Sequence, residues 1–144
     1  MSKTSVPLKD LVVGDIIYAN IIIDKADMAD PNSKSGTAKN IKAGKPVRRL
    51  CVVLVAGSSS VVVTYLATFN QSKTLPASFT DKSYWYPVSP ATKEGTLDPL
   101  PSLNGTAQWV SLRKKQTVTE DPVEKVTEKF SAASVKLILA AMKA

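Results

Sequence analysis

Histidine is absent from this chain of 144 residues, and cysteine occurs once, at position 51. The first absence excludes every mechanism that uses imidazole as base, metal ligand or neutral-pH switch. The second excludes an intramolecular disulfide and a cysteine-rich metal site. Cys51 stands in an apolar run and reads as a small buried hydrophobe. The stretch "DKADMAD" (24–30) lacks the glycine and the terminal glutamate of an EF-hand loop, so it reads as a solvated loop. No metal and no cofactor are expected. No stretch approaches ~20 uninterrupted apolar residues, so no membrane span is expected. The opening "MSKTSVPLKD" has no apolar signal core. A reducing, cytoplasmic setting is the simplest expectation. Arginine is scarce too, at three against sixteen lysines.

What is present is a basic, ordinarily apolar chain. Lys and Arg number 19 against 12 Asp and Glu, a net charge of +7, which favours anionic partners such as nucleic acid or an acidic protein segment. A hydrophobic content of 44% supports a real core, and the length fits one domain over 1–144. Two of the three arginines are adjacent, in "KPVRRLCVVLVAG" (45–57), with Lys42 and Lys45 just before them. They stand at the mouth of a run of strand formers. In an extended strand Arg48 and Arg49 point to opposite faces.

Along the chain, "LVVGDIIYANIIID" reads as one strand or two short ones, with Gly14-Asp15 as a bulge or tight bend. A long polar loop spans about 24–46. "RRLCVVLVAG" predicts a strand buried on both faces. Gly57 and three serines then mark a hairpin into "VVVTYLATFN". The insertion at about 73–104 holds Pro76, Pro87, Pro90, Pro99 and Pro101, so only short strands are expected there. Within it, "YWY" (84–86) forms either a satellite core or a stacking platform for bases. "TAQWVSLRKKQTVT" predicts a further strand. The tail changes period: Val123, Val126 and Phe130 at i, i+3, i+7 predict a helix behind Glu120 and Asp121. Ser131 then caps a second helix carrying Val135, Ile138, Leu139 and Met142. Five or so strands followed by C-terminal helices favour a small closed or partly open barrel.

Three pieces in order resemble the PemK/MazF-like toxin family: "VVGDIIYANI" its first strand, "RRLCVVLVAG" its second, and "VVVTYLATFNQS" its third. The strand ending in Gln-Thr and the final helix "SAASVKLILAAMK" complete the order. The resemblance implies a mainly β fold with C-terminal helices, a small SH3-like β-barrel of the PemK/MazF/CcdB type. It implies a metal-independent endoribonuclease acting on single-stranded RNA, a homodimer, and inhibition by an antitoxin peptide. The family's arginine falls on Arg49 and its strand-end threonine on Thr68. Its Gln-x-Arg-Thr falls on Lys114, Lys115, Gln116 and Thr117, so glutamine stands where the family has arginine. Leu50 stands where the family has proline.

Cutting RNA without metal requires deprotonation of the 2′-OH, stabilisation of the phosphorane and protonation of the leaving oxygen. Arg49 suits the charge, because its guanidinium fork matches phosphate oxygens. Thr68 can donate a hydrogen bond to phosphate. Asp15 is the candidate carboxylate for proton transfer. Lys45, Arg48, Lys73, Arg113, Lys114, Lys115 and Thr117 are the further candidates for RNA contact. Arg113, Lys114 and Lys115 serve equally well as charges guarding an exposed strand edge. A catalytically inactive barrel, binding nucleic acid or peptide, is the alternative reading.

Overall fold

The computed structural model describes residues 3–143. It is mainly β. The elements are β1 (Lys3–Val6), β2 (Asp15–Ile21), α1 (Gly36–Lys42), β3 (Val47–Val55), β4 (Val61–Ala67), β5 (Trp85–Val88), β6 (Gln108–Ser111), β7 (Gln116–Val118), β8 (Val123–Lys129) and α2 (Ala132–Ala141). The eight strands form one antiparallel sheet in the order β1-β8-β2-β3-β4-β6-β5, with β7 also paired to β4. No helix among the described residues is long and apolar enough to cross a membrane.

The centre follows from the β-branched runs. β2 pairs β3 from Ile16 opposite Val52 to Ile21 opposite Val47, and β3 turns through Gly57–Ser60 into β4. Beyond β4 the sheet forks: Leu66 and Ala67 pair β6, whereas Val61–Val63 pair β7. At the fork the buried Thr64 hydroxyl donates to the Ser111 carbonyl at 2.6 Å. The sheet curls enough for Gln116 of β7 to reach Ile22, just past β2. Its Oε1 accepts from the Ile22 N–H at 2.9 Å and its Nε2 donates to the Ile22 carbonyl at 2.8 Å. Gln116 thus mimics a strand pairing across the curl.

Two apolar clusters flank this sheet. Cys51, Val53, Val63, Tyr65 and Trp85 belong to one; Val52, Leu54, Val110, Val135 and Ile138 belong to the other. β3 therefore feeds both clusters by simple alternation, as its unbroken apolar run predicts. Ser131 caps α2 by accepting from the Ser134 N–H at 3.1 Å, and Val135 and Ile138 bury its inner face. The Gly14 bend is also present, at φ +95°, with its carbonyl accepting from Phe130 N–H at 2.9 Å.

Three expectations need correction, and one strand was not anticipated. The segment 123–129 is strand β8, not a helix. Its Val123 enters one cluster while Val126 and Phe130 enter the other. A strand buried on both faces shows apolar residues three apart, which imitates helical spacing. The polar loop contains α1, capped by Ser35, whose Oγ accepts from the Ala38 N–H at 3.1 Å. Ala38 and Ile41, three apart, pack inward. The stretch 106–119 makes two strands, because Leu112–Lys115 bends between β6 and β7. Lys3–Val6, unassigned from sequence, adds β1 to the edge of β8. Of the aromatic triplet, Trp85 is core, against Tyr65, Phe69 and Phe79.

Candidate functional site

A groove of about 630 Å³ opens where β3 begins and β4 ends. Arg48, Arg49 and Thr68 all line it. The antiparallel register explains the meeting: Cys51 pairs Tyr65, so two residues on, Arg49 lies level with the end of β4, one residue before Thr68. The opposite wall is the segment 28–41, which includes α1. The long polar loop, inserted between β2 and β3, is thus a structured wall of the groove.

The adjacent arginines differ in what holds them. Arg48 Nη2 pairs Glu124 Oε1 at 2.7 Å, and its guanidinium lies 5.2 Å from the centre of the Tyr18 ring. Arg49 makes one hydrogen bond among the described residues, from Nη1 to the Arg48 carbonyl at 3.0 Å. Its remaining donors have no partner there. Its charge opposes the upward shift of both the Cys51 thiol and the Tyr65 phenol. Burial dominates at Cys51, whose thiol is pushed up to about 12. That thiol is neutral and unreactive at physiological pH.

Beside Thr68, the chain turns left-handed for three residues in succession. Phe69, Asn70 and Gln71 have φ of +46°, +58° and +62°, closed by Ser72 N–H donating to the Thr68 carbonyl at 3.1 Å. Each such residue costs roughly 1–2 kcal/mol, less for asparagine. Phe69 is held there edge-on to Trp85 at 4.9 Å and Phe79 at 5.3 Å.

A buried network underlies the insertion wall. Asp27, 5% exposed, accepts from Tyr65 Oη at 2.7 Å and from Arg113 Nε at 2.9 Å. The Arg113 guanidinium stacks on Tyr84 at 4.0 Å. Burial raises the Asp27 carboxyl above its ordinary value, against the lowering effect of its two donors. Burial raises the Tyr65 phenol as well, reinforced by Asp27. At Arg113 burial works the other way, and the Asp27 hydrogen bond and charge outweigh it, holding the guanidinium above its ordinary value. The network pins residues 24–30 to β4 and to the bend after β6.

The other expected residues do not gather at this groove. Asp15 is buried, and its Oδ2 accepts from the Val12 N–H at 2.9 Å, as a turn cap does. It sits on β2 four residues from Ala19, the partner of Arg49, roughly 13 Å along the strand. Arg113 is engaged with Asp27. Lys45, Lys73, Lys114, Lys115 and Thr117 are exposed, and none of them lines the groove. Asp27 and Tyr65 were not legible as site residues. The signal was present all the same, since a tyrosine alternating with buried valines needs an acceptor for its hydroxyl. The spacing of Asp24, Asp27 and Asp30 does not tell which one is buried. A second cavity of about 640 Å³, between α2 and residues 94–97, contains none of the expected site residues. Compared with known proteins, the chain matches no family model, no curated protein and no solved structure.

Proposed function

We propose that this chain is a PemK/MazF-like, SH3-like barrel that holds single-stranded RNA in the groove beneath Arg49 and cuts it without metal. The curl completed by Gln116 and Ile22 supports barrel closure. The observation that carries the functional reading is the convergence of Arg49 and Thr68, from two strands, on one groove. Arg49 brings uncommitted guanidinium donors to a phosphate, and Thr68 adds a hydroxyl donor.

The position of Asp15 favours a second reading, in which the same groove binds RNA without cutting it. A proton carrier must lie within hydrogen-bond reach of the reacting oxygens, and Asp15 is spent on Val12 in another part of the sheet. Incubation of the pure protein with single-stranded RNA in excess EDTA separates the two. New fragments establish cleavage, and retention of intact RNA establishes the binding module. Neither fragments nor retention would overturn both.

The resemblance also carries a homodimer and an antitoxin peptide as partners. On α2, Leu137 is 52% exposed between Ala133 and Ala140, an apolar strip suited to a second copy. Sedimentation showing only a species of 15.4 kDa at tens of micromolar would remove the dimer.

A further inference from the structure

The groove has two chemically opposite walls. On the strand side are Arg49, Thr68 and Asn70; on the insertion side are Asp30, Ser33, Ser35 and Thr37. Between them the lining is apolar, from Met28, Ile41, Leu66 and Phe69 among others. The insertion wall carries two carboxylates, and their hydrogen bonds separate them. Both Asp27 oxygens are taken, by Tyr65 and Arg113. Asp30 is exposed, and its Oδ1 accepts from the Asn32 N–H at 3.0 Å. Its Oδ2 has no partner among the described residues, and Asp30 forms no ion pair there. The wall's serines are spent locally: Ser35 Oγ caps α1, and Ser33 Oγ accepts from the Ser35 N–H at 3.4 Å.

A bare carboxylate on one wall repels phosphate toward the guanidinium on the other. What then faces Asp30 must bring N–H donors. A nucleotide whose phosphate sat on Arg49 would reach that wall with its base across the apolar lining. Cytosine offers its N4 amine there, adenine its N6 amine, and guanine its N1–H with its N2 amine. Uracil offers the O4 acceptor where cytosine has the amine, and its one donor, N3–H, is flanked by the O2 and O4 carbonyls, which repel a carboxylate. We propose that Asp30 is a specificity-determining residue, which accepts from the exocyclic amine of a base seated in the groove and thereby disfavours uracil. This rests on the RNA reading above.

The test compares cytosine with uracil, which differ chiefly at that edge. The probes are fluorescent hexamers, 2′-O-methyl oligo-C and oligo-U, so that cleavage does not deplete them. Binding is followed by anisotropy in EDTA at low salt. For the wild type, oligo-C is expected to bind about tenfold more tightly than oligo-U, as suits one charge-assisted hydrogen bond. For Asp30→Asn, whose amide both donates and accepts, the ratio is expected to fall to within about twofold of unity. A wild-type ratio near one overturns the proposal. So does a ratio that Asp30→Asn leaves unchanged, because the discrimination then lies elsewhere. An equal gain for both probes in the variant also overturns it, because Asp30 would then only repel phosphate. Failure of both probes to bind the wild type sinks the RNA reading itself, and the base preference falls with it.

Discussion

Asp27 and Arg49 show how one residue's surroundings decide its role. Asp27 is buried with two donors, and burial still raises its carboxyl. The sign for stability follows. The unfolded chain releases this proton in the ordinary carboxylate range, whereas the folded protein keeps it to higher pH. The contribution of Asp27 to stability is therefore full below the ordinary value and is lost as pH rises through the folded value. Asp27→Asn removes that titration. The thermal midpoint of the wild type minus that of Asp27→Asn is expected to fall as pH rises from about 4 to 7. A difference that grows with pH would mean that the Arg113 charge outweighs burial and that the carboxyl is held down rather than up.

At the scale of elements, the bend before β2 depends on a single backbone approach. A side chain at Gly14, already at φ +95°, would place its Cβ 2.1 Å from the Phe130 carbonyl oxygen. Gly44 has φ +73° with nothing within 4 Å of the same built atom. Gly44→Ala is expected to cost about 1 kcal/mol, the left-handed strain alone. Gly14→Ala is expected to cost at least about 2 kcal/mol more, because backbone must move between β2 and β8. Urea midpoints of the two variants measure the gap, and equal losses would show that the Phe130 contact yields easily.

The same elements show what could be read from the sequence. The β3–β4 hairpin was legible because β-branched runs flank a Gly-Ser turn, and α2 was legible because Ser131 precedes an amphipathic stretch. β8 was not, because burial on both faces erased its period of two. Nor was α1, because it is seven residues long, opens on Gly36 and carries only two apolar side chains, Ala38 and Ile41. At the site, Arg49 and Thr68 were singled out by the family resemblance, and the nearly local pairing of β3 with β4 is what brings them together. Asp27 with Arg113, 86 residues apart, was not, since no local pattern encodes such a pairing.

For the whole molecule, a net charge of +7 predicts some affinity for any polyanion, and general basicity must be told apart from a site. Arg48 and Arg49 provide the control, being adjacent, equally charged and differently committed. Arg48 is already paired with Glu124, an exposed ion pair worth at most about 1 kcal/mol, while Arg49 keeps donors uncommitted. The most direct measurement is the salt dependence of single-stranded RNA binding for the wild type, Arg48→Ala and Arg49→Ala. Arg49→Ala is expected to weaken binding and to flatten the log–log slope by about 0.7, the share of one phosphate contact on a single strand. Arg48→Ala is expected to leave the slope nearly unchanged, and both variants should stay within about 1 kcal/mol of wild-type stability. Equal, small losses from the two substitutions would contradict a phosphate site at Arg49 and leave only a solvated strand entrance.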